Sequence, residues 1–215
     1  MPRHTVYCVT LTVWASLLTG TPAQEKKRPA AEQAAIAEIR KLGGHVLEIA
    51  QNDPRLEVAY HLNADKATDD ALRPLTNLKD VLHLNLRGTQ ITDAGLAHVK
   101  GLTSLTRLHL EKTKITDAGL ANLKGLENLT YLNLYGTAVT DKGLEHLASL
   151  KKLEKVYLWQ TKVTDGGVEK LAKALPKVKI IRGLDLAAPP AKKEPPKKEP
   201  PKKKEPPKKK AKKKG

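Results

Sequence analysis

VLHLNLRGTQITDAGLAHVKGLTS, Val81 to Ser104, is a unit that returns every 24 residues. Leu105 opens LTRLHLEKTKITDAGLANLKGLEN, Leu129 opens LTYLNLYGTAVTDKGLEHLASLKK, and Leu153 opens the shorter LEKVYLWQTKVTDGGVEKLAKA. A fixed period of this size is the signature of a solenoid. Within each unit apolar residues first alternate, as Leu84 and Leu86 do, and then fall at helical spacing, as Leu96, Val99 and Leu102 do. The change of period predicts one short strand and one short helix per turn of the coil. No unit buries its apolar face alone; stacking creates the core.

The opening of each unit resembles the leucine-rich repeat. The pattern L-x-x-L-x-L-x-x-N is met at Leu105, Leu108, Leu110 and at Leu129, Leu132, Leu134, with Thr113 and Thr137 where Asn is expected. The second half, T-D-x-G-L in three of these four units, resembles the subclass of about 20 to 29 residues with a short helix, found also in secreted bacterial proteins. The resemblance covers about residues 57–182. It implies an α/β fold, a right-handed solenoid with a curved parallel sheet on its concave face and short helices on its convex face. At the ninth position Thr89, Thr113, Thr137 and Thr161 replace the Asn ladder. Bonding between repeats is then expected to run through hydroxyls instead of amides.

The chain contains no Phe. Burial therefore rests on Leu, Val, Ile and Ala, which fit identical small layers where a large ring does not. Cys8 is the only cysteine and lies in the N-terminal leader. The expected mature chain thus has no disulfide, thiolate nucleophile or Cys-based metal site. Net charge is +16, of which 13 Lys and 3 Glu between Ala187 and Gly215 give +10 and Arg3 gives +1. The remaining +5 is spread over the rest, so the basic excess is mainly a property of the tail.

Residues 1–23 read as a signal peptide: Arg3 and His4 precede the apolar stretch Val6 to Leu18, and Thr21-Pro22-Ala23 offers a small-residue cleavage site before Gln24. The stretch is short for a bilayer span. Thr10, Thr12 and Ser16 dilute it, so an uncleaved anchor and a cytosolic chain stand as the alternatives to export. Residues 24–56 are expected to cap the first layer. AAEQAAIAEIRKL over 30–42 has helix propensity with Ile36, Ile39 and Leu42 on one face, Gly43-Gly44 ends it, and the alternating run His45 to Ile49 follows. The turn Asn52-Asp53-Pro54 leads into the repeat domain, residues 57–186. Its first copy, Glu57 to Asp80, is degenerate; Tyr60, Leu62, Leu72, Leu75 and Leu78 fall at core positions, and the later glycine is missing. Leu175, Val178 and Ile180 restore the strand spacing 22 residues after Leu153 and predict a closing strand. Residues 187–215, with KKEPPKKEPPKKKEPPKKKAKKKG, cannot bury apolar surface and are expected to be disordered with polyproline character.

Thr92-Asp93, Thr116-Asp117, Thr140-Asp141 and Thr164-Asp165 stand where each helix begins. A hydroxyl or carboxylate there caps free first-turn amides, and negative charge favours a helix N-terminus. The rival reading, a carboxylate row for calcium, needs about six to eight oxygens converging on one point. Gly95, Gly119, Gly143 and Gly167 are expected to let neighbouring helices approach closely.

Residues alternating with the core leucines line the concave face. The third position carries Ala59, His83, Arg107, Tyr131 and Lys155; the fifth, His61, Asn85, His109, Asn133 and Tyr157; the seventh, Asn63, Arg87, Glu111, Tyr135 and Trp159. Tyr131, Tyr135, Tyr157 and Trp159 thus gather in two adjacent repeats, and exposed Tyr and Trp favour partner binding. They form the candidate partner site, with Arg107, Glu111 and Lys155 at its rim. Ring stacking that only stabilises the sheet is the alternative. His61 and His109 stand two layers apart, about 9.6 Å at about 4.8 Å per strand, and are badly placed to share a metal ion. No Ser/His/Asp constellation or phosphate loop is recognisable, and an open sheet lacks the enclosure catalysis needs. Neither a cofactor nor an enzymatic activity is expected.

These readings converge on an exported, monomeric, non-catalytic interaction module, secreted or held in the periplasm or cell envelope, with no membrane span in the mature chain. Its concave face takes a protein or peptide. Its basic tail holds a polyanion: an envelope polymer, an acidic protein or nucleic acid. The alternative is an intracellular nucleic-acid-associated protein acting mainly through the tail by counterion release.

Overall fold

The computed structural model describes residues 28–50 and 53–183; the leader and the tail, with the expectations of a signal peptide and of disorder, lie outside the described residues. Helix α1 (Ala30–Lys41) turns Ala35, Ile36 and Ile39 inward, as its apolar spacing dictates. It ends in a Schellman turn, with Gly44 N–H donating to Ile39 C=O at 2.8 Å and Gly43 N–H to Arg40 C=O at 3.1 Å. Gly43 takes the left-handed conformation this turn needs, φ +88°. Strand β1 (His45–Ala50) then pairs antiparallel with β2 (Asp53–Ala59), an orientation the alternating pattern alone does not specify. Beneath them Tyr60 is fully buried, and its hydroxyl donates to Ala71 C=O at 2.7 Å.

From β2 onward the sheet is parallel and runs in chain order through β3 (Val81–Asn85), β4 (Arg107–His109), β5 (Tyr131–Asn133), β6 (Lys155–Tyr157) and β7 (Lys179–Ile181). Leu84, Leu108, Leu132 and Val156 stand in register and are fully buried, as the repeat predicts. Helices α2 (Asp93–Leu96), α3 (Asp117–Leu120), α4 (Asp141–Glu145) and α5 (Asp165–Ala174) each follow a strand and pack in sequence on one another. The fold is the α/β leucine-rich repeat solenoid.

The two ends of the array depart from the expected register. Leu62, expected in the core, is exposed, because the chain leaves the sheet at Tyr60 and enters a 3-10 segment, His61–Lys66. His61 therefore lies off the sheet, and Glu57 rather than Ala59 pairs with His83, after a register shift between Leu56 and Glu57. At the other end Ile180 stands beside Val156, which keeps the period at 24 residues instead of the expected 22. Leu175 is consumed as the C-cap of α5.

The Thr-Asp pairs do more than cap. Thr92, Thr140 and Thr164 accept a hydrogen bond from their own helix's first turn, but each Asp accepts from the next repeat. Asp93 accepts Thr116 N–H at 2.8 Å and its hydroxyl at 2.5 Å, and Asp69, Asp117 and Asp141 do the same for Thr92, Thr140 and Thr164. The hydroxyl bond first, and then the amide bond, hold the Asp141 carboxyl below its ordinary value, so this rung stays ionised into acid. Thr89, Thr113, Thr137 and Thr161 instead donate to the carbonyl three residues back in their own layer. Inter-repeat hydroxyl bonding is thus present, but through different threonines from those expected; Thr106 and Thr130 add further links to Leu82 and Thr106 carbonyls.

This ladder explains the repeated glycine. A side-chain carbon at Gly95, Gly119, Gly143 or Gly167 would overlap the Asp carboxylate of the preceding repeat. The first copy carries Ala71 at that position, and there the segment Asp69–Asn77 packs against α1 instead of a preceding repeat. The last rung, Asp165, has no following Thr-Asp copy among the described residues and is closed by Arg182.

The layers of β3, β4, β5 and β6 each leave their strand through one left-handed residue: Gly88, Lys112, Gly136 and Gln160, φ 71°, 53°, 69° and 55°. The first three donate their N–H to the carbonyls of Glu111, Tyr135 and Trp159 one layer on. Glycine adopts this conformation freely; at Lys112 and Gln160 it costs about 1 kcal/mol or more each. That turn fixes the direction of the residue before it, and so positions Glu111, Tyr135 and Trp159.

Candidate functional site

Strand alternation puts the odd positions of each strand on the face away from the core. The observed register joins them into two rows: Glu57, His83, Arg107, Tyr131, Lys155 and Lys179, and Ala59, Asn85, His109, Asn133, Tyr157 and Ile181. Arg107 and Lys155 are exposed on either side of Tyr131.

The four aromatic candidates meet as two groups. The Tyr131 ring contacts His109 at 4.8 Å between centroids and Tyr157 at 5.3 Å, tilted by 37° and 46°. Tyr135 stacks on Trp159 at 5.2 Å and 26°. Lys112 Nζ lies 5.7 Å from the Tyr135 centroid, within cation–π range. Trp159 rests against the Gly183 backbone, where a side-chain carbon would come within 3.3 Å of its Cδ1. Stacking is therefore real, yet Trp159 remains 49% exposed. Burial raises the Tyr131 phenol above its ordinary value, with the nearby Asn133 amide acting in the opposite sense. Tyr131 thus keeps its hydroxyl proton and can donate it.

Glu111 is not at the rim. It is only 7% exposed, because two donors of the neighbouring row draw it inward: its Oε1 accepts Asn133 Nδ2 at 2.7 Å and lies 2.9 Å from His109 Nδ1. Its Oε2 is buried without a hydrogen-bond partner. His83 stands 3.6 Å from Glu57. Among the described residues no group of three or more His, Cys, Asp or Glu is arranged to hold a metal ion.

Two cations escaped the sequence reading. Lys179 lies one full period after Lys155, but the 22-residue spacing of the leucines displaced it from the row. Lys112 follows the end of the strand, where alternation no longer predicts direction.

A family model described as Leucine Rich repeat matches residues 77–97, 101–124 and 125–148. No curated protein is similar to the chain in sequence. Among solved structures, an internalin (inlF) from Listeria monocytogenes is 26% identical with a TM-score of 0.42, over 51% of this chain and 30% of its own. An internalin C2 (inlC2) from the same organism is 23% identical with a TM-score of 0.35, over 51% and 65%. A TDR receptor is 16% identical with a TM-score of 0.37, over 50% and 18%. The chain spans less than two thirds of each of these structures.

Proposed function

We propose that this leucine-rich repeat protein is an exported, monomeric, non-catalytic module that holds a protein or peptide on its concave face, while residues 187–215 tether it to a polyanion. Tyr131, Tyr135, Tyr157 and Trp159 carry the partner site, flanked by Arg107 and Lys155, with Glu111 fixing His109 and Asn133 from beneath. The observation that carries this reading is the clustering of these four aromatic side chains in adjacent layers on the face away from the core. Large amphipathic rings of this kind dominate protein-binding surfaces. Export is supported by the signal-like pattern of residues 1–23, and no helix among the described residues is long and apolar enough to cross a membrane. The tether is supported by the +10 charge of the tail.

Removing 187–215 separates the two activities. The shortened chain is expected to keep its thermal transition and its partner binding, and to leave a polyanion column at lower salt with a flatter salt dependence. Elution at the salt of the full chain would assign polyanion binding to the repeats and remove the tether from the account.

A further inference from the structure

We propose that the concave face reads carboxylates: its partner is an extended acidic segment of a protein, laid across the strands from Arg107 to Lys179. This rests on the concave-face reading and gives that partner its chemistry. Arg107, Lys155 and Lys179 are exposed in one cross-strand row, with Tyr131 between the first two. None of them pairs with a carboxylate among the described residues, and neither does Lys112 beside the second ring group. A lone surface Lys means little. Lys155 and Lys179, however, stand directly opposite each other on adjacent strands, where like charges destabilise a sheet. An anion placed between them relieves that repulsion.

The rings point the same way. Tyr131 lies between His109 and Tyr157, Tyr135 between Trp159 and Lys112, and Trp159 between Tyr135 and Gly183. Each ring already has a neighbour on at least one side, so a nucleic-acid base finds less open ring surface here than on isolated rings. The tyrosine hydroxyls add hydrogen-bond donors suited to a carboxylate. Glu111 is turned inward and offers the partner no opposing carboxylate. Three inter-strand steps of about 4.8 Å separate Arg107 from Lys179, roughly 14 Å, which an extended chain crosses in four or five residues. Alternate residues of that chain share a side and fall about 6.6 Å apart, so two or three acidic residues at alternate positions match the cationic row.

The test uses the full chain and a dye-labelled peptide of alternating Glu and Thr, with its Gln–Thr counterpart and a single-stranded oligothymidine of equal charge. The tail is common to all variants, so differences report on the sheet. The expected result is that Lys155→Gln with Lys179→Gln weakens the Glu peptide roughly tenfold at an unchanged thermal transition, and that the Gln peptide binds poorly to the unaltered chain. If both peptides bind alike and Trp159→Ala weakens both, the concave site stands and its acidic chemistry is overturned. If neither the double variant nor Trp159→Ala changes affinity for the Glu peptide, the tail holds it and both readings fall. Tighter binding of the oligothymidine than of the peptide, lost in the double variant, would assign the row to nucleic acid and overturn the proposal.

Discussion

Replacing Leu108 by Ala is expected to destabilise the chain by about 2 to 5 kcal/mol, the range for truncating a fully buried leucine. Leu108 is fully buried between Leu84 and Leu132 in the central parallel strands. The layers on either side are fixed by their own neighbours and cannot collapse into the space, which favours the upper part of the range. In a solenoid each repeat contacts only its neighbours, so a weak central layer also uncouples the two ends of the array. Urea unfolding followed by circular dichroism measures both effects, as a lower midpoint and as a broader transition. A loss below about half a kcal/mol, far under any buried Leu truncation, would refute the layer assignment.

Trp159→Ala is expected to cost about 2 kcal/mol or more of affinity for the Glu–Thr peptide, the loss typical of a central aromatic anchor. Its cost in folding is smaller but not zero. The ring pair with Tyr135 contributes about 0.5 to 1.5 kcal/mol, and the indole lies on the side of the sheet opposite the core. The expected loss is therefore larger in binding than in stability. A stacking-only role predicts the reverse, with stability lowered and affinity retained. Lys162→Ala, an exposed position beyond the strand, should move neither quantity.

The layered core was legible because its signal is repeated: the 24-residue period and the alternation at Leu84, Leu108 and Leu132 both survive in the structure. The first and last layers were read less well, for one physical reason. Terminal layers must end the stack, so Tyr60 turns inward, Leu62 is left outside and Leu175 serves a helix end instead of a strand. The role of the glycines was legible in kind but not in cause. Close approach was expected between helices, whereas the approaching group is the Asp of the preceding repeat. Thr68-Asp69, one period before Thr92-Asp93, was the available sign that the pair belongs to a ladder and not only to a cap. In the site, alternation placed the four aromatic side chains on one face but could not show the depth of Glu111. That depth depends on side-chain bonds from His109 and Asn133, on which strand alternation is silent.

On the proposed reading the sheet face, and not the tail, holds the protein partner. The most direct measurement is a proton–nitrogen correlation spectrum of the labelled full chain during titration with the Glu–Thr peptide. The Trp159 indole resonance and the amides of residues 131–135, 155–159 and 179–181 are expected to shift together and to saturate with the peptide. Shifts confined to residues 187–215, with the Trp159 indole unmoved at saturation, would contradict that reading.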